Sequence, residues 1–273
     1  MDTRAFRRLR PANPVGDLLR GWRTRRALSQ AELAFEAGIS VKHLSYVETG
    51  KAAASRDILL QLASALDLSL RDRNALLEAG GFARQYGERE LSAPELAEAR
   101  RAIDLLLLRH EPFPAIVTDR RWNVMQANRA ASRLMTMLLG PLRMQRPLNH
   151  MRMFLAADEL KPFVENWSIV AAALLARARH EAMAAPLDEA LQSTWRELMR
   201  LPQLPAATED NTAPGPLCEV RLRKGDIGIG LVGAVLTLGT PQDVTLQELR
   251  VEMFMPVDAA SEAALIALAA QDA

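Results

Sequence analysis

The stretch SQAELAFEAGISVKHLSYVETG, Ser29 to Gly50, constrains this chain more than any other. Ser29 stands where a helix N-cap belongs, and Glu32 three residues later completes a capping box. Leu33 and Ala34 share a face, with Ala37 one turn further on. Gly38 ends the helix as a residue free to take positive φ, and Ile39 plugs the turn. Ser40 is the next N-cap. Val41 to Glu48 forms the second helix, with Leu44 and Val47 inward at i, i+3 spacing. Gly50 stops it.

Two short helices that cross steeply need a small residue at their contact, and Ala34 supplies it. With Leu44 and Val47 turned inward, the outward positions of the second helix are Val41, Lys42, His43, Ser45 and Tyr46. A helix held in this way can lie in the major groove of DNA with those side chains near base edges. An ordinary helical hairpin is the alternative. The small residue, the glycine and both apolar plugs at the required offsets favour the DNA-reading form.

The wider segment from about Gly16 to Gly80, with LLRGWRTRRALSQAELAFEAGISVKHLSYVETGKAAASRDILLQLASALDL at its centre, resembles the Xre-type family of bacterial and phage repressors. The resemblance implies a five-helix, lambda-repressor-like DNA-binding domain. It implies that Gln30 holds a phosphate at a helix N-terminus. Val41, Lys42 and Tyr46 would face the bases, with His43 beside them. Ser40 at the helix start and Lys51 in the small-residue loop Lys51–Ser55 complete the DNA-facing candidates. Arg23 would pair with Glu48, tying the first helix to the recognition helix. Ala34, Gly38, Leu44 and Val47 are the structural positions of the motif. The expected partners are double-stranded DNA and a second copy of the chain on a two-fold operator.

A length of 273 residues suits two ordinary domains, and 49% hydrophobic content is ample for packed cores. The single cysteine, Cys218, excludes a disulfide framework and a cysteine-based zinc site, and fits a reducing cytoplasm. Strand packing is its expected role. The N-terminus lacks the apolar core of a secretory signal, and no uncharged apolar run has membrane-spanning length. A cytoplasmic location without membrane contact is therefore expected. The net charge of +1 is uninformative, but its distribution is not. Arg4, Arg7, Arg8, Arg10, Arg20, Arg23, Arg25, Arg26, Lys42, Lys51 and Arg56 crowd the front of the chain, as a DNA-binding module followed by a different domain would show.

Three regions follow: a basic flexible arm over 1–15, the helix-turn-helix domain over 16–86, and a second domain over 87–273. In the front domain Ser55 caps a fourth helix, and Ser69 with Asp72 opens a fifth that runs to about Ala79. The second domain opens on a helix with a Ser92/Glu95 capping box, ended by Pro112 and Pro114. AIVTD and RWNVMQAN read as strands, with Trp122, Val124 and Gln126 on one face and Asn123 and Met125 on the other. Asn128 caps a helix to about Leu139, and 140–147 is a loop. Asn149–Phe154 is a Met-rich turn or short helix. Longer helices are expected over 159–183 and 187–200, with an exposed loop over 202–216 between them and the final sheet. CEVRLR, GIGLVGAVLTL and TLQELRVEMFMPV read as three strands, and Ala259–Ala270 as a closing helix. The fold class is mainly α, with an α+β second domain whose sheet is antiparallel.

LLRHEPFPAIVTDRRWNVMQANRAASRLM and NHMRMFLAADELKPFVENWSIVAAALLARARHEA make most of Leu91–Leu204 resemble the PAS-like ligand-binding domain of MmyB-like regulators. After Cys218 the chain departs from that pattern: GIGLVG stands where the family usually carries His-Pro before Val-Gly. The resemblance implies an apolar cavity for a small, fatty-acid-like ligand. Trp122, Met125, Met135, Met137, Met151, Met153, Phe154 and Trp167 are candidates to line it, methionine being adaptable to irregular apolar guests. Arg129 or Arg152 is the candidate to hold a carboxylate. The alternative is that all are plain core residues.

His43, His110, His150 and His180 are widely separated and form no HExxH pair, so no metal is expected. GDIGIG lacks the strand–turn–helix context of a nucleotide fingerprint, and neither GxSxG nor a P-loop occurs. No catalytic residue and no cofactor is expected. The expectation is a DNA-binding transcription regulator controlled by a small apolar ligand. Its alternatives are a rear half that only dimerises or docks a protein, and an enzyme with a repressor-like front end.

Overall fold

Side-chain caps set the helix starts of the front half. In the computed structural model, which describes residues 13–144, 146–186, 188–205 and 217–270, the side chains of Asn13, Ser29, Ser40, Ser55 and Ser69 each accept a first-turn backbone N–H. They open α1 (Pro14–Arg25), α2 (Gln30–Glu36), α3 (Val41–Thr49), α4 (Arg56–Ala65) and α5 (Leu70–Ala79). Such a cap satisfies donors that the helix itself leaves unpaired. The apolar stripes of the five helices converge on one core containing Leu19, Trp22, Leu33, Ala34, Leu44, Val47, Leu59, Leu62, Leu66 and Leu76. Most of the expected arm, residues 1–12 with Arg4, Arg7, Arg8 and Arg10, lies outside the described residues.

The chain divides into two compact units. The first is Met1–Arg89 together with Pro241–Gln247; the second is Glu90–Thr240 together with Glu248–Ala273. The sequence alone assigns all of 87–273 to the rear domain. The segment 241–247 instead belongs with the front helices, for reasons visible in its bonds. Val244 is fully buried, its N–H donates to the Gly87 carbonyl, and the Asp243 carboxylate accepts from Arg89 at 2.9 Å. The Gln247 amide oxygen accepts the Leu70 N–H at the start of α5.

The second unit holds a five-stranded sheet built from β1 (Ala115–Thr118), β2 (Val124–Ala127), β3 (Glu219–Lys224), β4 (Ile227–Leu236) and β5 (Arg250–Pro256), in the order β2-β1-β5-β4-β3. Every pairing is antiparallel. Gly225, at φ +56°, makes with Asp226 the two-residue turn between β3 and β4. The second unit's helices are α6 (Ala97–His110), α7 (Arg129–Leu139), α8 (Pro141–Met144), α9 (His150–Leu155), α10 (Trp167–Ala184), α11 (Glu189–Leu198) and α13 (Ala259–Ala270), whereas α12 (Val244–Glu248) belongs, but for its last residue, to the first unit. Leu134, Leu138, Phe154 and Val170 from the helices meet Leu222, Ile229 and Leu231 from the sheet in one core. A second core gathers Trp122, Met151, Leu155, Ala171, Leu191 and Leu198.

Four local expectations are corrected. Ser92 and Glu95 form no capping box: a 3-10 turn over Pro94–Leu96 without a side-chain cap precedes α6, and the Ser92 hydroxyl bonds Glu90. The helix expected from 159 begins at Trp167, because Val164 makes an extended bridge to Leu222 and the Asn166 amide is taken up by β3. The strand expected across TLQELRVEMFMPV starts only at Arg250, since its first residues form α12. Within the expected loop 140–147, Pro141–Met144 is helical.

Candidate nucleic-acid interface and ligand cavity

The turn between α2 and α3 has the geometry its residues dictate. Gly38 sits at φ +67°, a conformation that costs an L-residue with a Cβ. The Ile39 N–H returns to the Ala34 carbonyl at 2.9 Å, and Ala34 is fully buried at the helix contact. The Ser29 box is complete, and the Ser40 hydroxyl accepts the His43 N–H at 3.1 Å. Leu44 and Val47 point into the core.

Glu48 is the buried anchor of α3. Its carboxylate, 1% exposed, accepts from Arg23 Nε at 2.7 Å and from Arg23 Nη2 at 3.0 Å. The Gln30 amide donates to the same group at 2.8 Å. Burial opposes ionisation of Glu48. The hydrogen bonds from Arg23 and Gln30, with the charges of Arg23 and Arg20, outweigh it and hold the carboxyl below the usual carboxylate range. The bond to Glu48 likewise raises the Arg23 guanidinium. The expected Arg23–Glu48 tie is therefore present. Gln30, which the resemblance assigned to a phosphate, has its amide engaged with Glu48. Two residues not singled out for the motif complete the clamp. Arg20 donates to the Glu48 carbonyl at 2.6 Å, and Asn13 Nδ2 donates to the Val47 carbonyl at 2.9 Å.

The opposite face of α3 is open. Val41 is 45% and Tyr46 38% exposed; Ser40, Lys42 and Lys51 are exposed, and His43 is half-buried. The ammonium groups of Lys42 and Lys51 each stand 5.7 Å from the Tyr46 ring centroid. Lys42, Tyr46 and Lys51 thus form one cationic, aromatic patch on the free side of the helix.

In the second unit a cavity of about 50 Å³ opens between the sheet and helices α7 and α9. Ile116, Val124, Val220, Leu222, Leu231 and Phe254 line it from the strands; Met135, Met153 and Phe154 line it from the helices. Of the ten residues expected at a ligand, Met135, Met153 and Phe154 are in this wall, and Met137 packs against the same core without lining it. Trp122 and Met151 are buried in the other core, the Trp122 indole donating to Glu181 at 2.9 Å. Trp167 packs against both cores and donates to the Phe154 carbonyl at 2.7 Å. Met125 is 50% exposed: strand alternation turns Val124 inward and its neighbour outward. Arg129 and Arg152 are exposed and line no part of the cavity. The strand residues of the wall were missed because it is assembled by pairings distant in sequence; the alternation in CEVRLR and RVEMFM marked buried faces but not what they face.

One wall residue is neither apolar nor small. His150 is buried, with Nδ1 3.4 Å from Glu252 Oε1. Arg177 holds Glu252 with two hydrogen bonds, at 2.9 and 3.1 Å, and Glu181 at 2.9 Å. Burial opposes the Glu252 charge, but His150 and Arg177 overcome it and hold the carboxyl far below its ordinary range. Cys218 lies beside β3, half-buried, with its thiol pushed up by burial. Among the described residues no group of His, Cys, Asp and Glu is placed to hold a metal ion. No helix among them is long and apolar enough to cross a membrane.

Comparison with known proteins places both units. Residues 19–72 match the helix-turn-helix family model, and residues 99–268 match the MmyB-like transcription regulator ligand binding domain. The crystal structure of the restriction-modification controller protein C.AhdI from Aeromonas hydrophila is similar at 38% identity. That match covers 22% of this chain and 91% of the other, with a TM-score of 0.21. No curated protein matches the chain. With the second family model spanning well over half of its length, behind a helix-turn-helix unit, the chain belongs to the MmyB-like family of DNA-binding transcription regulators.

Proposed function

We propose that the chain acts as a homodimer on a two-fold operator, and that a small apolar molecule in the second unit controls its grip on DNA. The open face of α3 carries this reading: Val41, Lys42 and Tyr46 are exposed on a helix whose other side is fixed by Leu44, Val47 and Glu48. Such a helix reads base edges through Lys42 and Val41, while Lys51 and Ser40 meet phosphates. Gln30 would reach a phosphate only by leaving Glu48. Half-sites then lie about 10 base pairs apart, or a multiple of that.

The apolar cavity supports the ligand half of the reading. A fatty-acid-like guest fits its wall chemistry, and its methionines can re-pack around one. The guest regulates only if it binds two arrangements of the dimer with different affinity. The test is selection of a duplex from a random pool, followed by titration of that duplex with and without a medium-chain amphiphile. A two-fold site bound by two chains, with affinity that shifts when the amphiphile is added, is expected. An asymmetric site bound by one chain rejects the dimer. An unchanged affinity rejects ligand control and favours a rear unit that only dimerises.

A further inference from the structure

We propose that α6 is the helix through which two copies of the chain pair, its outer face packing antiparallel against the same face of a second copy. The inference deepens the homodimer reading above and rests on it, since it names the surface that joins the two chains. A surface helix of a single chain carries one apolar stripe, and α6 carries two. Ile103 and Leu107 are buried on one side of it. Leu105 and Leu108, on the other side, are 52% and 66% exposed. Glu98, Arg101, Ala102 and Arg109 share that outer face and are exposed as well. Among the described residues neither the Glu98 nor the Arg109 side chain has a hydrogen-bond or ion-pair partner.

The spacing and charge of this face identify its occupant. Glu98, Ala102, Leu105 and Arg109 follow one another at intervals of four, three and four residues, the spacing of the seam along which two helices wind together. The seam complements itself in one direction only. In a parallel pair Glu98 would meet a second Glu98, and Arg109 a second Arg109. In an antiparallel pair Glu98 meets the partner's Arg109, once at each end, and the helix dipoles oppose each other favourably as well. The register that joins these charges is centred midway between Ile103 and Asp104, so it also sets Ala102 against the partner's Leu105. A small residue opposite a large one lets the two helices interdigitate. Such a contact uses the same patch on both chains and closes at two copies. In the chain only residues 90–96 lie between Arg89 of the front unit and α6. Pairing α6 therefore tethers two front units by short arms, and one bound to a half-site raises the local concentration of the other. A seam of three turns is smaller than a tight interface, so the pair is weak in free solution and completed on two-fold DNA.

The test is a charge exchange on the full-length protein, read by sedimentation equilibrium and by the cooperativity of binding to a selected two-fold operator. Glu98→Arg and Arg109→Glu are each expected to weaken pairing about tenfold, because each sets like charges against one another at both ends of the seam. The double exchange is expected to restore pairing to within about threefold of native. Leu105→Lys is expected to lose cooperativity while its affinity for a single half-site stays native, which reports a folded chain. In a Cys218→Ser background, mixing Ala102→Cys chains with Leu105→Cys chains is expected to give far more disulfide-linked dimer than either alone. A native chain that binds the operator in pairs, with pairing indifferent to both exchanges and to Leu105→Lys, places the dimer on another surface and overturns the assignment to α6. Pairing lost in the single exchanges and not restored in the double one overturns it too. A native chain that occupies the operator as one copy removes the homodimer reading and the assignment with it.

Discussion

Glu48 is the residue on which three helices converge, so its loss is felt beyond its own turn. Arg23→Met leaves the carboxylate buried with the Gln30 amide and the half-exposed Arg20 as its remaining partners. Breaking such a pair costs about 3 kcal/mol, and hydrogen exchange of the α1–α3 peptides should speed accordingly. The pH dependence has a definite sign. The Glu48 carboxyl lies lower in the folded chain than its ordinary 4.5. Its contribution is therefore complete above that value and lost as the pH falls through the lowered one. Exchange protection of α3 should weaken on acidification in the native protein, and Glu48→Gln should remove that part of the acid dependence. An α3 whose protection follows the same acid profile in both proteins would separate Glu48 from the stability of the motif.

At the scale of elements, the helix-turn-helix was legible because its signals are local. Caps, the positive-φ glycine and the i, i+3 plugs all lie within four residues of what they act on. Gly38→Ala tests this reading. No atom stands within 4 Å of an added Cβ there, so the substitution meets only the backbone strain of φ +67°. It should cost about 1 kcal/mol, read as a lower denaturation midpoint of the front unit, with Gly38→Asn milder. Gly16 is the opposite case: an added Cβ would lie 2.5 Å from the Glu48 carbonyl oxygen, so Gly16→Ala should push α1 from α3 and weaken DNA binding as well. The second unit was less legible. β1 pairs with β5 through Val117 and Val251, a partnership no neighbouring residue announces. α12 was hidden inside an apparent strand because alternation across TLQEL also fits one helical turn. Trp122 read as a strand residue beside Val124, yet it takes φ +62° ahead of β2 and turns its ring into the other core.

At the scale of the whole molecule, sequence order and compact units do not coincide. Residues 241–247, between β4 and β5 in the chain, complete the front unit. Val244→Asp should lower the exchange protection of α5, and Asp243→Ala, which frees Arg89, should do so more weakly. Unchanged protection in both would make that segment a passenger. The account as a whole stands on the exposed face of α3. Its most direct test is the affinity of a selected operator against a scrambled duplex for native protein and for the double variant Lys42→Ala, Tyr46→Ala. Each good base contact is worth about 1–3 kcal/mol of discrimination. The account predicts that the variant folds, keeps much of its salt-sensitive binding to either duplex, and loses the preference for the operator. A variant that still prefers the operator as strongly as the native protein would contradict it.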